Sequence, residues 1–148
     1  MRGPRYPVRI RNEKGTGFIA VVDVAFVLRG EDGDVGKLLK AVEGHYTEMI
    51  NHTRGLLGCL DNGTKRVEIY WDIGSAIKKF LDFLDRETPF YLANKNSTLA
   101  RDLGIGLTTL CGITRLRKSI RTRKELKKKI ENGLKWACFS RGVYRGTY

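Results

Sequence analysis

The apolar residues between positions 35 and 57 recur at the spacing of one face of an α-helix. Asp32 or Asp34 precedes them where an N-terminal cap is expected, because a short acidic side chain accepts hydrogen bonds from free backbone N–H groups. A long helix with one apolar face must bury that face, so the rest of the chain has to fold around it. The residues of this face are Val35, Leu38, Leu39, Val42, Tyr46, Met49, Ile50 and Thr53.

A second helical pattern follows in residues 64–86, and Pro89 ends it. Its first residues, KRVEIYW, also alternate as in a strand, and the DNG before them suits a hairpin turn. A helix is the main prediction, and an α+β fold with a small hairpin is the alternative. The residues on the apolar side of this helix are Val67, Trp71, Ile77, Phe80, Leu81 and Leu84.

Further along the chain, Thr122 and Glu125 in TRKE form a capping box, which predicts a helix from about Arg123 onward. That helix directs Leu126, Ile130 and Leu134 inward. The segment FIAVVDVAFVL, residues 18–28, fits a buried strand and a buried helix equally well.

The length of 148 residues is typical of one domain. Pro4 and Pro7 prevent regular structure near the start of the chain, where basic residues are frequent. We therefore expect an extended basic arm over residues 1–16, a single helical domain over residues 17–138, and a basic and aromatic tail over residues 139–148. The aromatic residues of the two ends are Tyr6, Phe139, Tyr144 and Tyr148.

The formal net charge of +12 is concentrated at the two ends of the sequence. Residues 1–30 contain six basic and two acidic residues, and residues 93–148 contain fourteen and three. Residues 31–92 are mildly acidic, with eight basic and eleven acidic residues. Such basic regions attract polyanions, which favours nucleic acid as the partner.

Several classes of protein are disfavoured by the same sequence. No apolar run approaches the length of a membrane span, and no secretory signal is visible, so we expect an intracellular or virion protein without a membrane partner. Cys59, Cys111 and Cys138 suit neither a zinc site nor a disulfide framework, and we expect small buried residues there. The chain contains no glutamine, a residue that proteins of hot habitats tend to avoid.

The stretch LARDLGIGLTTLCGI, residues 99–113, resembles the helix-turn-helix of the phage repressor and Cro families. Ala100 matches the small residue where the two helices cross, and Gly104 matches the turn. The apolar positions of the pattern are filled by Leu99, Leu103, Ile105, Leu110 and Ile113. The second helix departs from the pattern, because residues 106–112 offer threonines and glycines where long polar side chains normally reach base edges.

Two further resemblances concern larger parts of the chain. YWDIGSAI, residues 70–77, is similar to the YWEIG signature of the helical domain that precedes the nuclease in YhcG-like proteins. The catalytic Asp and Glu-x-Lys pattern of that nuclease is missing here, so no cleavage activity is implied. The arrangement of a small basic subunit with a helical core also resembles the coat proteins of filamentous archaeal viruses, whose subunits wrap double-stranded DNA.

Residues 115–129 contain nine basic residues and one acidic residue. Aromatic residues are absent from this strip, which suits the phosphates of a duplex better than stacked single-stranded bases. We expect phosphate contacts from the arm and from this strip. The candidate DNA-binding residues are Arg2, Arg5, Arg9, Arg11, Arg115, Arg117, Lys118, Arg121, Arg123, Lys124, Lys127 and Lys128.

Catalytic and metal-binding groups are not apparent. The sequence contains no P-loop, no G-x-G-x-x-G and no candidate Ser-His-Asp set. His45, Glu48 and His52 lie close to one helix face, but nothing nominates a further ligand, so they are expected to be surface residues. We expect no enzyme activity, no cofactor, no metal and no small-molecule substrate.

The sequence therefore predicts a mainly α protein, a helical bundle that contains a helix-turn-helix-like unit and carries basic arms. The leading hypothesis is a structural protein that coats or packages double-stranded DNA together with copies of itself or a paralogous subunit. The alternative is a dimeric helix-turn-helix transcriptional regulator.

Overall fold

The computed structural model describes residues 5–13, 17–22, 32–60 and 66–134. Within these ranges the fold is mainly α with a small β-hairpin, which is the alternative that the sequence left open. The elements in chain order are β1 (Tyr6–Glu13), β2 (Gly17–Val22), α1 (Asp32–Leu57), α2 (Arg66–Glu87), β3 (Phe90–Leu92), α3 (Lys95–Leu103), α4 (Leu107–Ser119) and α5 (Arg123–Glu131).

The two long helices form where the apolar periodicity predicts them. The strand interpretation is wrong for residues 66–71, because they belong to α2, and residues 64–65 lie outside the described residues. Ile69, Tyr70 and Trp71 are consecutive and all buried, whereas a strand with one solvated face would bury only alternate residues. The start of α2 is therefore enclosed by the protein on more than one side.

The hairpin lies instead at the N-terminal end of the described chain. The expectation that residues 1–16 form an arm outside the core is wrong for residues 5–13, because β1 is the central strand of a three-stranded sheet. Val8 and Ile10 are buried, while Arg9 and Arg11 are exposed. The alternation of apolar and basic residues in β1 is the pattern of a half-buried strand.

The strand order is β2-β1-β3. β1 pairs antiparallel with β2, with Val8 opposite Val22, and parallel with β3, with Val8 opposite Leu92. Residues 17–22 are thus a strand, which settles part of the open assignment of residues 18–28. Residues 23–28 lie outside the described residues.

Tyr46 of α1 connects the sheet to the helices. Its ring makes edge-on contacts with Phe18 of β2, at 5.1 Å between centroids, and with Phe80 of α2, at 5.2 Å. Such edge-to-face contacts add to the hydrophobic contribution of the buried rings. The core therefore runs from the inner face of the sheet through α1 to α2, and α4 packs against α2.

The C-terminal helix begins at the predicted capping box. The Thr122 hydroxyl oxygen accepts a hydrogen bond from the Glu125 N–H at 3.2 Å, which confirms the cap. Leu126 is buried, and Ile130 and Leu134 pack partly buried against the core. The predicted tail over residues 139–148 lies outside the described residues.

The cysteines differ from expectation. Cys59 and Cys111 are exposed, so their predicted burial is wrong. Cys59 follows the end of α1 and Cys111 lies on the solvent side of α4, whereas the larger apolar residues of both segments occupy the core positions. Cys138 lies outside the described residues.

Candidate nucleic-acid interface

α3 and α4 are joined by a three-residue turn at the positions that the sequence assigned to it. Gly104 adopts the left-handed conformation, with φ of 72°, which glycine reaches without a steric penalty. The N–H groups of Gly104 and Ile105 both donate to the carbonyl of Ala100. The side chains of Leu99, Leu103, Leu110 and Ile113 are buried and hold the two helices together.

The solvent-facing side of α4 carries mostly short side chains. Its exposed residues are Leu107, Thr108, Cys111, Thr114, Lys118 and Ser119. A threonine hydroxyl can bond a base edge, but it lacks the two-pronged geometry by which Arg, Asn or Gln distinguishes base pairs. These mostly short side chains leave this surface little capacity to distinguish base pairs.

A buried polar network fixes the first helix of this unit. Asp102 is only 2% exposed, and one of its carboxylate oxygens accepts a hydrogen bond from the Tyr46 hydroxyl at 2.5 Å. Arg101 forms an ion pair with the same carboxylate at 2.9 Å and donates to the Ile10 carbonyl of β1. Arg54 donates to the Asp102 carbonyl from α1. α3 is therefore tied to α1 and to the sheet.

The network also raises the pKa of two side chains, Tyr46 and Arg101. Burial raises the pKa of Tyr46 well above its usual range, and the hydrogen bond to Asp102 raises it further. The same carboxylate raises the pKa of Arg101 through its hydrogen bond. Sequence reasoning missed Asp102, because an acidic residue between the apolar positions of a short helix normally indicates a solvated face. The tyrosine on the core face of α1 was the one signal in the sequence, since a buried hydroxyl needs a partner.

Two of the predicted phosphate-binding arginines lie around Trp71 of α2. The guanidinium of Arg117 is 4.8 Å from the centroid of the Trp71 ring, and that of Arg123 is 5.2 Å away. Arg117 also donates to the Ser75 hydroxyl at 2.8 Å, and Arg123 forms an ion pair with Asp72. The Trp71 indole N–H in turn donates to the Ile120 carbonyl. Both arginines therefore brace α4 and α5 against α2.

Close packing of α2 on α4 requires a glycine at position 74. A Cβ atom there would lie 2.8 Å from the Cβ of Arg117 and 3.2 Å from the Ile113 carbonyl oxygen. Any side chain would push the two helices apart. Gly74 is the last residue of the YWDIG stretch, residues 70–74.

The lysines of α5 are disposed differently from these arginines. Lys124, Lys127, Lys128 and Lys129 are all exposed around a helix whose single buried residue is Leu126. Lys118 and Arg121 at the α4–α5 junction are exposed as well, and Arg115 is half-buried. Within the described ranges none of these seven side chains forms an ion pair with a carboxylate. Their charge is therefore not neutralised by a carboxylate within these ranges.

The described arginines of the predicted arm differ in what they contact. Arg5 donates to the Phe90 carbonyl and pairs with Asp85 at 3.5 Å, so it joins the start of β1 to the end of α2. Arg9 and Arg11 are exposed on the outer face of the sheet. Arg2 lies outside the described residues. The structure thus divides the predicted binding residues between the sheet and the α4–α5 surface.

Comparison with family models, with curated proteins and with solved structures finds no match. The function is therefore inferred from the surface of the molecule.

Neither a metal cluster nor a membrane-spanning helix occurs among the described residues. No three His, Cys, Asp or Glu side chains there are placed to hold a metal ion, and the ring of His45 stacks on Phe83 at 3.8 Å. No helix in the same ranges combines the length and apolar character needed to cross a membrane.

Proposed function

We propose that this protein binds double-stranded DNA through its phosphates, as a non-enzymatic structural protein that coats or packages DNA in a multi-subunit assembly. The observation that carries the proposal is the set of exposed lysines on α5, which have no carboxylate partner among the described residues. Lysines in this state neutralise phosphates and release counterions from the duplex.

The aromatic residues favour a duplex over a single strand. Proteins that hold single strands present exposed aromatic rings on which bases stack. α4 and α5 contain no aromatic residue, and Trp71 beneath them is only 6% exposed. The described surface of α4 and α5 thus offers charge without exposed aromatic rings on which bases could stack.

The exposed side of α4 supports binding without sequence selection. Thr108 and Thr114 are too short to span a base edge with two hydrogen bonds, and Leu107 and Cys111 offer only apolar or weakly polar contacts. A packaging protein is expected to gain its affinity from phosphate contacts and to make few contacts with bases. The lysines of α5 and the short side chains of α4 fit this expectation.

An assembly also needs contacts between subunits. Residues 5–13 of the predicted basic arm are held in the sheet, so they do not form a free arm that could reach a neighbouring subunit. Large exposed apolar side chains are present on the folded domain, with Tyr91 of β3 47% exposed and Leu107 of α4 51% exposed. These two exposed side chains are candidates for contacts between subunits.

The decisive experiment is a competition assay at fixed salt. We expect the protein to bind random duplex DNA nearly as tightly as any selected sequence, with an affinity that falls steeply as salt is added. Electron microscopy of the protein on long duplex DNA should show continuous coating. A selected sequence bound about 10³-fold more tightly than random DNA would contradict the proposal.

The turn between α3 and α4 favours a second candidate, a dimeric helix-turn-helix regulator. The left-handed Gly104 and the exposed residues at the start of α4 are compatible with placing that helix in the major groove. Under this candidate the competition assay would find one preferred operator and a protein dimer bound to it.

A further inference from the structure

A groove of about 400 Å³ lies between α2, α3 and α4. Its floor is apolar and is formed by Ile77 and Leu81 of α2 together with Leu99 of α3. Ile77 and Leu99 are almost fully buried, and Leu81 is partly buried against the core. The floor is therefore fixed by the packing of the domain.

The rim of the groove is basic. Lys95, Lys118 and Arg121 line it and are exposed, and none of the three has a carboxylate partner in the described parts of the chain. Lys78 also lines it but pairs with Asp82 at 2.7 Å. Arg117 is the fifth basic residue that lines the groove, and it donates a hydrogen bond to the neutral Ser75 hydroxyl. Among the described residues that line the groove, none is an aspartate or a glutamate.

We propose that this groove binds a small amphipathic organic acid. The carboxylate would face the basic rim, where several uncompensated cations favour an anion. The hydrocarbon part would cover the apolar floor, which a bare phosphate cannot do favourably because a strongly hydrated anion gains nothing from apolar contact. The volume lies in the range of pockets that hold small molecules, so the occupant is a compact ligand.

The groove shares Lys118 and Arg121 with the proposed DNA-binding surface. An acid bound there neutralises charge that DNA would otherwise use, so it weakens DNA binding. This consequence rests on the proposed function, whereas the binding of the acid itself does not.

The test uses decanoate, below its micelle-forming concentration, titrated into the full-length protein by calorimetry. We expect saturable binding at one site, with butyrate much weaker and each methylene that enters the groove adding about fourfold in affinity. In nitrogen-15 NMR spectra, decanoate should shift the amide signals of Gly74, Leu81, Asn96 and Thr114, which belong to the groove.

Two variants with the same change of charge separate the groove from general electrostatics. Lys95→Glu reverses a charge on the rim and should weaken decanoate binding by about three- to tenfold. Lys127→Glu reverses an exposed charge on α5 outside the groove and should leave it nearly unchanged. Both positions are exposed, so neither change disturbs the core.

The outcomes are distinct. Absence of saturable binding, equal weakening by both variants, or NMR shifts outside the groove would each overturn the groove assignment. If decanoate binds as expected but leaves DNA affinity unchanged, the site is correct and its coupling to DNA is wrong. If the protein does not bind DNA at all, the proposed function fails while the calorimetric result stands.

Discussion

The guanidinium of Arg117 lies 4.8 Å from the centroid of the buried Trp71 ring and donates to the Ser75 hydroxyl. Both interactions join α4 to α2 within the protein. An arginine that the sequence predicts to bind DNA thus has a structural role. Removing it should lower the stability of the fold, whereas removing an α5 lysine should not.

Arg117→Ala should lower the free energy of unfolding by about 1–3 kcal/mol, because it removes a cation–π contact and a charge-assisted hydrogen bond. Lys127→Ala is the matched control and should change it by less than about 0.5 kcal/mol, since that side chain is exposed. Urea denaturation measures both. Equal stability of the two variants would show that the Trp71 contacts are incidental.

Replacing Lys124, Lys127 and Lys128 together by Ala should lower the slope of log K against log salt by about 0.9 for each phosphate that is no longer neutralised. Thr108→Ala combined with Thr109→Ala should leave both affinity and slope nearly unchanged. Fluorescence anisotropy with a labelled duplex at several salt concentrations measures the slope. A larger decrease in affinity from the threonine pair would favour the regulator over the packaging protein.

Gly74→Ala should destabilise the protein by about 1–3 kcal/mol, because the added methyl group would lie too close to the Arg117 Cβ and the Ile113 carbonyl. Gly44→Ala is the control, since Gly44 lies in α1 with nothing within 4 Å of the added atom. That change should stabilise the protein by about 0.4–1 kcal/mol, as alanine favours a helix over glycine. Thermal unfolding should show a lower melting temperature for Gly74→Ala and a higher one for Gly44→Ala.

Ile10→Ala should cost about 2–5 kcal/mol, because Ile10 is 3% exposed on the inner face of β1. Arg9→Ala, on the outer face of the same strand, should change stability by less than about 0.5 kcal/mol. If both substitutions are neutral in chemical denaturation, residues 5–13 are an arm after all and not a strand of the core.

The raised pKa of Tyr46 makes stability fall at alkaline pH. Above about pH 10 the unfolded tyrosine loses its proton while the folded one keeps it, so the unfolded state binds fewer protons and becomes favoured as the pH rises. Tyr46→Phe should reduce this decline between about pH 10 and 12. It should also cost about 1–3 kcal/mol at neutral pH, because the Asp102 carboxylate is deprived of a donor. Denaturation midpoints across this pH range, with Tyr91→Phe as the control for an exposed tyrosine, measure both effects.

The sequence by itself determined the helices, because their signals are local. The apolar spacing of residues 35–57, the Thr122–Glu125 cap and the glycine turn at position 104 each depend on neighbours within a few residues. The structure has the helix α1, the Thr122 cap of α5 and the left-handed Gly104 at these positions. The exposed lysines of α5 follow in the same way, since a short helix with one buried leucine must leave its other faces in solvent.

Tertiary structure decided whether residues 5–13 form a strand or an arm, and which groups the arginines contact. β1 is the central strand because it pairs with β2, which is close in sequence, and with β3, which is about 80 residues away, and Arg5 fastens its start to Asp85 and Phe90. Arg117 and Arg123 contact α2 because Trp71, on that helix, offers an aromatic face to both and Asp72 offers a carboxylate to Arg123. The charge of an arginine is fixed by its sequence, but whether that charge meets a neighbouring side chain or an external phosphate depends on what the fold brings beside it.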